Sequence, residues 1–210
     1  MNSSYEIAKK LLEIKAVVIT NEDNLFTWAS GIKSPIYCDN RLIMAYPEFR
    51  KYVAAEFSKR INKLDENIDV IVGTATAGIP HAAWVADVMG KPMAYVRSTS
   101  KVHGKKNQIE GIVAEGQKVV VIEDLLSTGG SALNAVEALE EVGADVVMVY
   151  SIFNYNFDDL VVSFANHLIG YESLTDYKTL LPIARKIGYI TDKDYEVLKL
   201  WSENPKMFVK

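Results

Sequence analysis

The stretch Val119-Val120-Val121-Ile122-Glu123-Asp124-Leu125-Leu126-Ser127-Thr128-Gly129-Gly130-Ser131 decides the fold. Four β-branched residues in a row predict a strand buried on both faces, ending at the acid pair. Gly129-Gly130 then interrupt the chain before a helical pattern that runs from about Ser131 to Val142 and stops at Gly143. In an open parallel sheet, ligands gather beyond the carboxyl ends of the strands, where loops meet helix N-termini. The turn 127–131 offers backbone N–H groups, hydroxyls and the positive end of a helix dipole, which suit a phosphate monoester. Glu123 and Asp124 can accept hydrogen bonds from sugar hydroxyls or help hold a metal. Together they describe a phosphorylated sugar. The plainer alternative is a strand–turn–helix with a Ser or Thr cap and solvated acids. No G-x-x-x-x-G-K-[ST] loop and no G-x-G-x-x-G after a strand is present.

The same rhythm extends to both sides. Apolar runs at 70–72, 93–96 and 145–153 alternate with helical stretches at 79–89, closed by Gly90, and 158–165. A strand near 168–170 and helices after Thr175 and Thr191 complete an α/β core with a mostly parallel sheet, spanning about 66–210. About 65 residues precede it. Ser3 with Glu6 reads as a capping box opening a helix with Ile7, Leu11 and Leu12 on one face. Segments 25–28 and 36–39 read as a short hairpin, and Pro47 opens a helix carrying Phe49, Val53, Phe57, Ile61 and Leu64. We expect one domain over 1–210, with a small N-terminal hood on the core.

Composition narrows the function. Of 210 residues, 49% are hydrophobic, and 23 Lys+Arg against 27 Asp+Glu give a net charge of −4. That balance argues against broad nucleic-acid binding, so any anion site must be local. One cysteine, Cys38, forms no internal disulfide and reads as a small buried hydrophobe, which suits a reducing cytoplasm. The N-terminus lacks a signal-peptide core, and no stretch reaches the ~18 apolar residues of a membrane span, so we expect a soluble protein without a membrane partner.

Against this background, Arg97-Ser98-Thr99-Ser100-Lys101-Val102-His103-Gly104-Lys105-Lys106 holds four cations and no acid in ten residues. It is a concentrated anion site in a loop of the lid type, unless it is merely a solvated basic loop. Gly73-Thr74-Ala75-Thr76-Ala77-Gly78 follows the first core strand, with residues small enough for close backbone approach. His81 reads as a helix residue with a satisfied hydrogen bond, and His167 has no motif around it.

The stretch 119–131 resembles the 13-residue phosphoribosyl pyrophosphate (PRPP) signature of the type I phosphoribosyltransferases. The resemblance implies that the 5-phosphate lies on Ser127, Thr128, Gly129, Gly130 and Ser131, that Glu123 and Asp124 hold the ribose hydroxyls, and that Leu125 and Leu126 complete the PRPP-binding run. Arg97, Lys101 and His103 match the catalytic loop of orotate phosphoribosyltransferases, where they contact pyrophosphate. Lys101 and His103 there reach into the partner subunit's site, which implies a homodimer with shared sites. Phe26-Thr27-Trp28-Ala29-Ser30-Gly31-Ile32-Lys33-Ser34-Pro35-Ile36-Tyr37-Cys38-Asp39-Asn40-Arg41 resembles the hood of the orotate enzymes rather than anything in the purine enzymes.

By resemblance, then, the expected activity is Mg²⁺-dependent transfer of ribose 5-phosphate from PRPP to orotate, giving orotidine 5-monophosphate and pyrophosphate in UMP synthesis. Lys101, His103 and Asp124 would be catalytic, Ser127 would meet orotate, and Mg²⁺ would arrive mainly through substrate. A phosphoribosyltransferase for a purine base, or a PRPP-binding regulator that does not catalyse, are the rival readings. Family contacts are absent at Ala29, Thr76, Ala77, Ser98 and Asn154, and Lys33, Arg41, Lys105 or Lys106 are candidates to replace them.

Overall fold

The computed structural model describes residues 2–20, 24–28, 33–98 and 108–205. Helix α1 (Ser3–Glu13) buries Ile7, Leu11 and Leu12 as the periodicity predicts, but its cap is Asn2, whose side chain accepts the Ser4 N–H at 3.1 Å. The predicted Ser3 box is therefore displaced, because Asn2 reaches the open N–H first. Strand β1 (Val17–Ile19) follows, then β2 (Phe26–Thr27), β3 (Lys33–Ser34) and β4 (Ile36–Cys38). The expected hairpin is wired differently: β2 pairs with β3, and β4 pairs antiparallel with β1. Ser34-Pro35 causes the switch, since Pro35 brings no N–H and the Ser34 hydroxyl donates to the Ile36 carbonyl at 2.6 Å. A 3₁₀ helix (Asn40–Ala45) leads into α2 (Pro47–Ile61), which has Pro47 in its first turn.

The core chain runs β5 (Val70–Thr74), α3 (Gly78–Met89), β6 (Met93–Val96), β7 (Ile109–Glu110), β8 (Lys118–Leu126) and α4 (Gly130–Glu140). It ends with β9 (Asp145–Asn154), α5 (Asp158–Asn166), β10 (Tyr171–Asp176), α6 (Tyr177–Lys186) and α7 (Asp192–Glu203). One six-stranded sheet results, in the order β10-β9-β8-β5-β6-β7, parallel except for β7 at its edge. Alternation along the strands sends Val119 and Val121 to one apolar cluster with α4 and α5, and Val120 and Ile122 to another with α1, α2, α3, α6 and α7. Burial on both faces is why these strands read as unbroken apolar runs.

From β5 the chain builds outward through β6 and then returns to the other side of β5 with β8. The carboxyl ends of β5 and β8 therefore flank the point where strand order reverses, the place where such sheets bind ligands. The hood is fixed beside it: the Trp28 ring lies 4.8 Å from Tyr155 and 5.9 Å from Trp201, and Trp201 Nε1 donates to the Lys33 carbonyl. Among the described residues, no helix is long and apolar enough to cross a membrane.

Candidate active site

Strand β8 continues through the acid pair rather than stopping before it, with Glu123 opposite Ser151 and Leu126 opposite Asn154 on β9. Successive side chains on a strand point to opposite sides. Glu123 is accordingly 5% exposed and accepts the Asp124 N–H at 2.9 Å, while Asp124 is only half-buried. Burial, then the neighbouring Asp124 charge, pushes the Glu123 carboxyl well above the usual range; burial also raises Asp124. The two acids are thus unequal, one directed inward and coupled to its neighbour's amide, the other facing the hood. Asn40, fully buried, donates its amide to the Asp124 carbonyl at 2.7 Å and ties hood to strand.

Beyond the acids, half-buried Leu125 packs on one apolar cluster and buried Leu126 on the other. Ser127 is half-buried, and Thr128, Gly130 and Ser131 are exposed. Gly129 caps α4 with φ 87°, and a Cβ there would stand 2.7 Å from Phe164. Only glycine fits both the conformation and the space. No Ser or Thr side chain caps the helix, so its first-turn N–H groups, on exposed Gly130 and Ser131, carry no side-chain cap, as an anion site requires.

The loop after β5 meets this turn. A Cβ at Gly78 would collide with Thr74 Oγ1 and the Ile122 carbonyl, so glycine lets the start of α3 sit against β5 and β8. The Ala75–Thr76 peptide is cis. Thr74, Ala75, Arg97, Ser98, Gly130 and Ser131 line one cavity of about 240 Å³, so the three loops singled out in the sequence converge.

Arg97 exchanges hydrogen bonds with Gln108 (2.9 and 3.1 Å), and β6 pairs antiparallel with β7. The brief β7 was not anticipated from the polar sequence around it. Lys101, His103, Lys105 and Lys106 lie outside the described residues, as do Ala29, Ser30, Gly31 and Ile32.

Other expectations divide. Cys38 is buried with Sγ 3.4 Å from Asn40 Oδ1, and burial raises its thiol pKa. His81 is in a helix as expected, but it is 1% exposed and neither ring nitrogen has a hydrogen-bond partner. Its neighbour is the edge-on Trp84 ring at 5.4 Å, which offers no acceptor. His167, exposed, contacts the Ser163 carbonyl and Glu137. Asn154 uses its amide inside the protein: Nδ2 donates to Ser173 Oγ and Oδ1 accepts the Asn156 N–H, both at 2.8 Å. A second cavity of about 390 Å³, lined by Thr128, Asn156, Phe157, Asp158 and Lys178 among others, opens beside the turn 127–131 and went unread in the sequence. The run Asn154-Tyr155-Asn156-Phe157 after a strand was its available signal.

No group of three or more His, Cys, Asp or Glu among the described residues is placed to hold a metal. Half-buried Asp124, beside Arg41 and Asp39, is an oxygen donor of the kind a hard cation takes.

Residues 43–163 match the Phosphoribosyl transferase domain. The chain is 54% identical over 200 residues to the orotate phosphoribosyltransferase of Fusobacterium nucleatum, covering 95% of each chain. It is 51% identical to that of Listeria monocytogenes over the full length of both. The crystal structure of orotate phosphoribosyltransferase from Aeropyrum pernix superposes with a TM-score of 0.74 at 28% identity, over 88% of this chain and 99% of the other. With the acid pair and glycine turn at the point where strand order reverses, these similarities show that the chain belongs to the phosphoribosyl transferase domain family, among the orotate phosphoribosyltransferases.

Proposed function

We propose that this chain transfers ribose 5-phosphate from PRPP to N1 of orotate, releasing pyrophosphate and giving orotidine 5-monophosphate, a step of UMP synthesis. The observation that carries this reading is the convergence of the loop after β5, Arg97 and the start of α4 on one cavity, with the acid pair at the end of the strand leading into that turn and tied to the hood by Asn40. Breaking the bond at ribose C1 leaves positive charge on the ring and negative charge on the departing pyrophosphate. Residues that stabilise both charges without rearranging supply most of such a rate enhancement.

In this reading the turn 127–131 takes the 5-phosphate on α4's first-turn N–H groups, with Gly129 permitting its close approach. Asp124 accepts from the ribose hydroxyls and its charge favours the developing cation, while Glu123 fixes the Asp124 backbone. Arg97, Lys101 and His103 stabilise the pyrophosphate, and Ser127 meets orotate. Mg²⁺, when bound, neutralises phosphate charge; substrate oxygens and Asp124 would hold it.

The same reading makes the protein a cytoplasmic homodimer. Leu42, Met44, Tyr46 and Val88 are 41%, 41%, 41% and 55% exposed, and Arg50 joins Met44, through its carbonyl, to Trp84. This apolar surface suits a second copy of the chain, placed to bring its Lys101 and His103 to this site.

The test is pyrophosphate release from PRPP in the presence of Mg²⁺ and one of orotate, hypoxanthine or adenine. Release with orotate alone supports the reading. Release only with a purine moves the activity to a purine base, and none with any base leaves a PRPP-binding regulator.

A further inference from the structure

We infer that Arg41 determines base specificity: it is the hood cation that reads the carboxylate of the incoming base. This rests on the reading that the base is orotate. Asp39 grips Arg41 from one side, accepting from Nε at 2.6 Å and from Nη2 at 2.9 Å. A guanidinium has five N–H donors and two edges that can each fork onto a carboxylate. The Nε/Nη2 edge is taken, and among the described residues Asp39 is the acceptor of each Arg41 hydrogen bond, none of them from Nη1. The Nη1/Nη2 edge is therefore oriented and available for a second carboxylate.

The position fits as well. Asp39 caps the 3₁₀ helix by accepting the Arg41 N–H at 3.1 Å, so backbone and side chain are fixed by one acid. The next residue, Asn40, is bonded to the Asp124 carbonyl, which anchors Arg41's segment to the strand that holds the ribose. Arg41's positive charge acts on Asp124 and lowers its pKa, against the opposing effect of Asp39. Its side chain is 57% exposed, within reach of an incoming molecule.

A cation is needed there on electrostatic grounds. Asp39 and Asp124 place carboxylates at this edge of the site, which would repel an anionic base if no cation offset them. Among the described residues, Lys33 Nζ donates to Thr27 Oγ1, both ends of the Asn154 amide are used inside the protein, and Arg97 lies on the cavity between the β5 loop and the start of α4. Among the described residues, Arg41 is the oriented hood cation beside Asp124. A lysine in its place would keep the charge but lose the fork.

The experiment is steady-state kinetics of wild type, Arg41→Ala and Arg41→Lys, varying orotate and PRPP separately, with the methyl ester of orotate as a competing inhibitor. The exposed side chain leaves folding undisturbed, which circular dichroism checks. Arg41→Ala should raise KM for orotate about tenfold or more, with Arg41→Lys between it and wild type. KM for PRPP should change less than about twofold, and inhibition by the uncharged ester should be the same in all three. An unchanged KM for orotate, a rise confined to PRPP, or an equal loss of ester affinity would each overturn the assignment. If wild type itself does not use orotate, it is the proposed function that fails, and the ester and PRPP measurements separate that failure from this one.

Discussion

Replacing His81 by phenylalanine should make the protein more stable and remove a specific part of its acid sensitivity. His81 is buried with both nitrogens unpaired, and burial alone brings its pKa from the ordinary 6.5 to about 4. Between those two values the unfolded chain binds a proton that the folded one excludes, so stability falls as pH is lowered through that window. At about 1.4 kcal/mol per pH unit, the gap of about 2.5 units amounts to about 3 kcal/mol in full, of which about 2 kcal/mol is lost between pH 7 and pH 5. Phenylalanine keeps a ring of similar size against Trp84 and removes the unpaired polar atoms, which should add about 1–3 kcal/mol at pH 7. Guanidinium unfolding of both proteins at pH 7 and pH 5 measures this directly. The raised acids Glu123 and Asp124 titrate in both proteins and cancel in the comparison. The wild type should lose about 2 kcal/mol more than the variant between the two pH values; equal losses would show that His81 is not an uncompensated buried base.

Three further outcomes follow from particular residues. Lys101→Ala should lower kcat by about 100-fold or more with a small change in KM for PRPP, measured by initial rates, if Lys101 stabilises the leaving pyrophosphate. Gly129→Ala, with φ 87° and Phe164 2.7 Å from the new Cβ, should cost about 2 kcal/mol and lower Tm by about 4–8 °C while raising KM for PRPP. Cys38, buried and with its thiol pKa raised, should react with a thiol reagent at least about tenfold more slowly in the native protein than in denaturant.

What the sequence disclosed, and what it did not, follows from where each residue sits. Strands buried on both faces, such as Val119 to Val121 in β8, announce themselves because no polar residue interrupts them. Glycines at forced positions, Gly90 at φ 61° and Gly129 at φ 87°, mark the ends of α3 and the start of α4 equally well. Strand β10 is Tyr171–Asp176 rather than 168–170, because its Glu172, Ser173 and Thr175 disguise a pairing supplied by β9, while Leu168 is 94% exposed at φ 55°. Tertiary pairing, not local pattern, also decided the partners of β2 and β4. At the site, the residue types of the acid pair and the turn were readable, but their inequality was not. Only the fold shows that Glu123 turns inward, that Asn154 is consumed by Ser173 and Asn156, and that Asp39 leaves one edge of Arg41 open.

The central claim is that this site transfers ribosyl phosphate to orotate with Asp124 at the reacting sugar. The most direct measurement is the loss of orotate's ultraviolet absorbance on adding PRPP and Mg²⁺ to wild type and to Asp124→Asn. We predict a loss in wild type that a chelator abolishes, and a rate about 100-fold or more lower in Asp124→Asn. No loss of orotate in wild type, or equal rates in the two proteins, would contradict it.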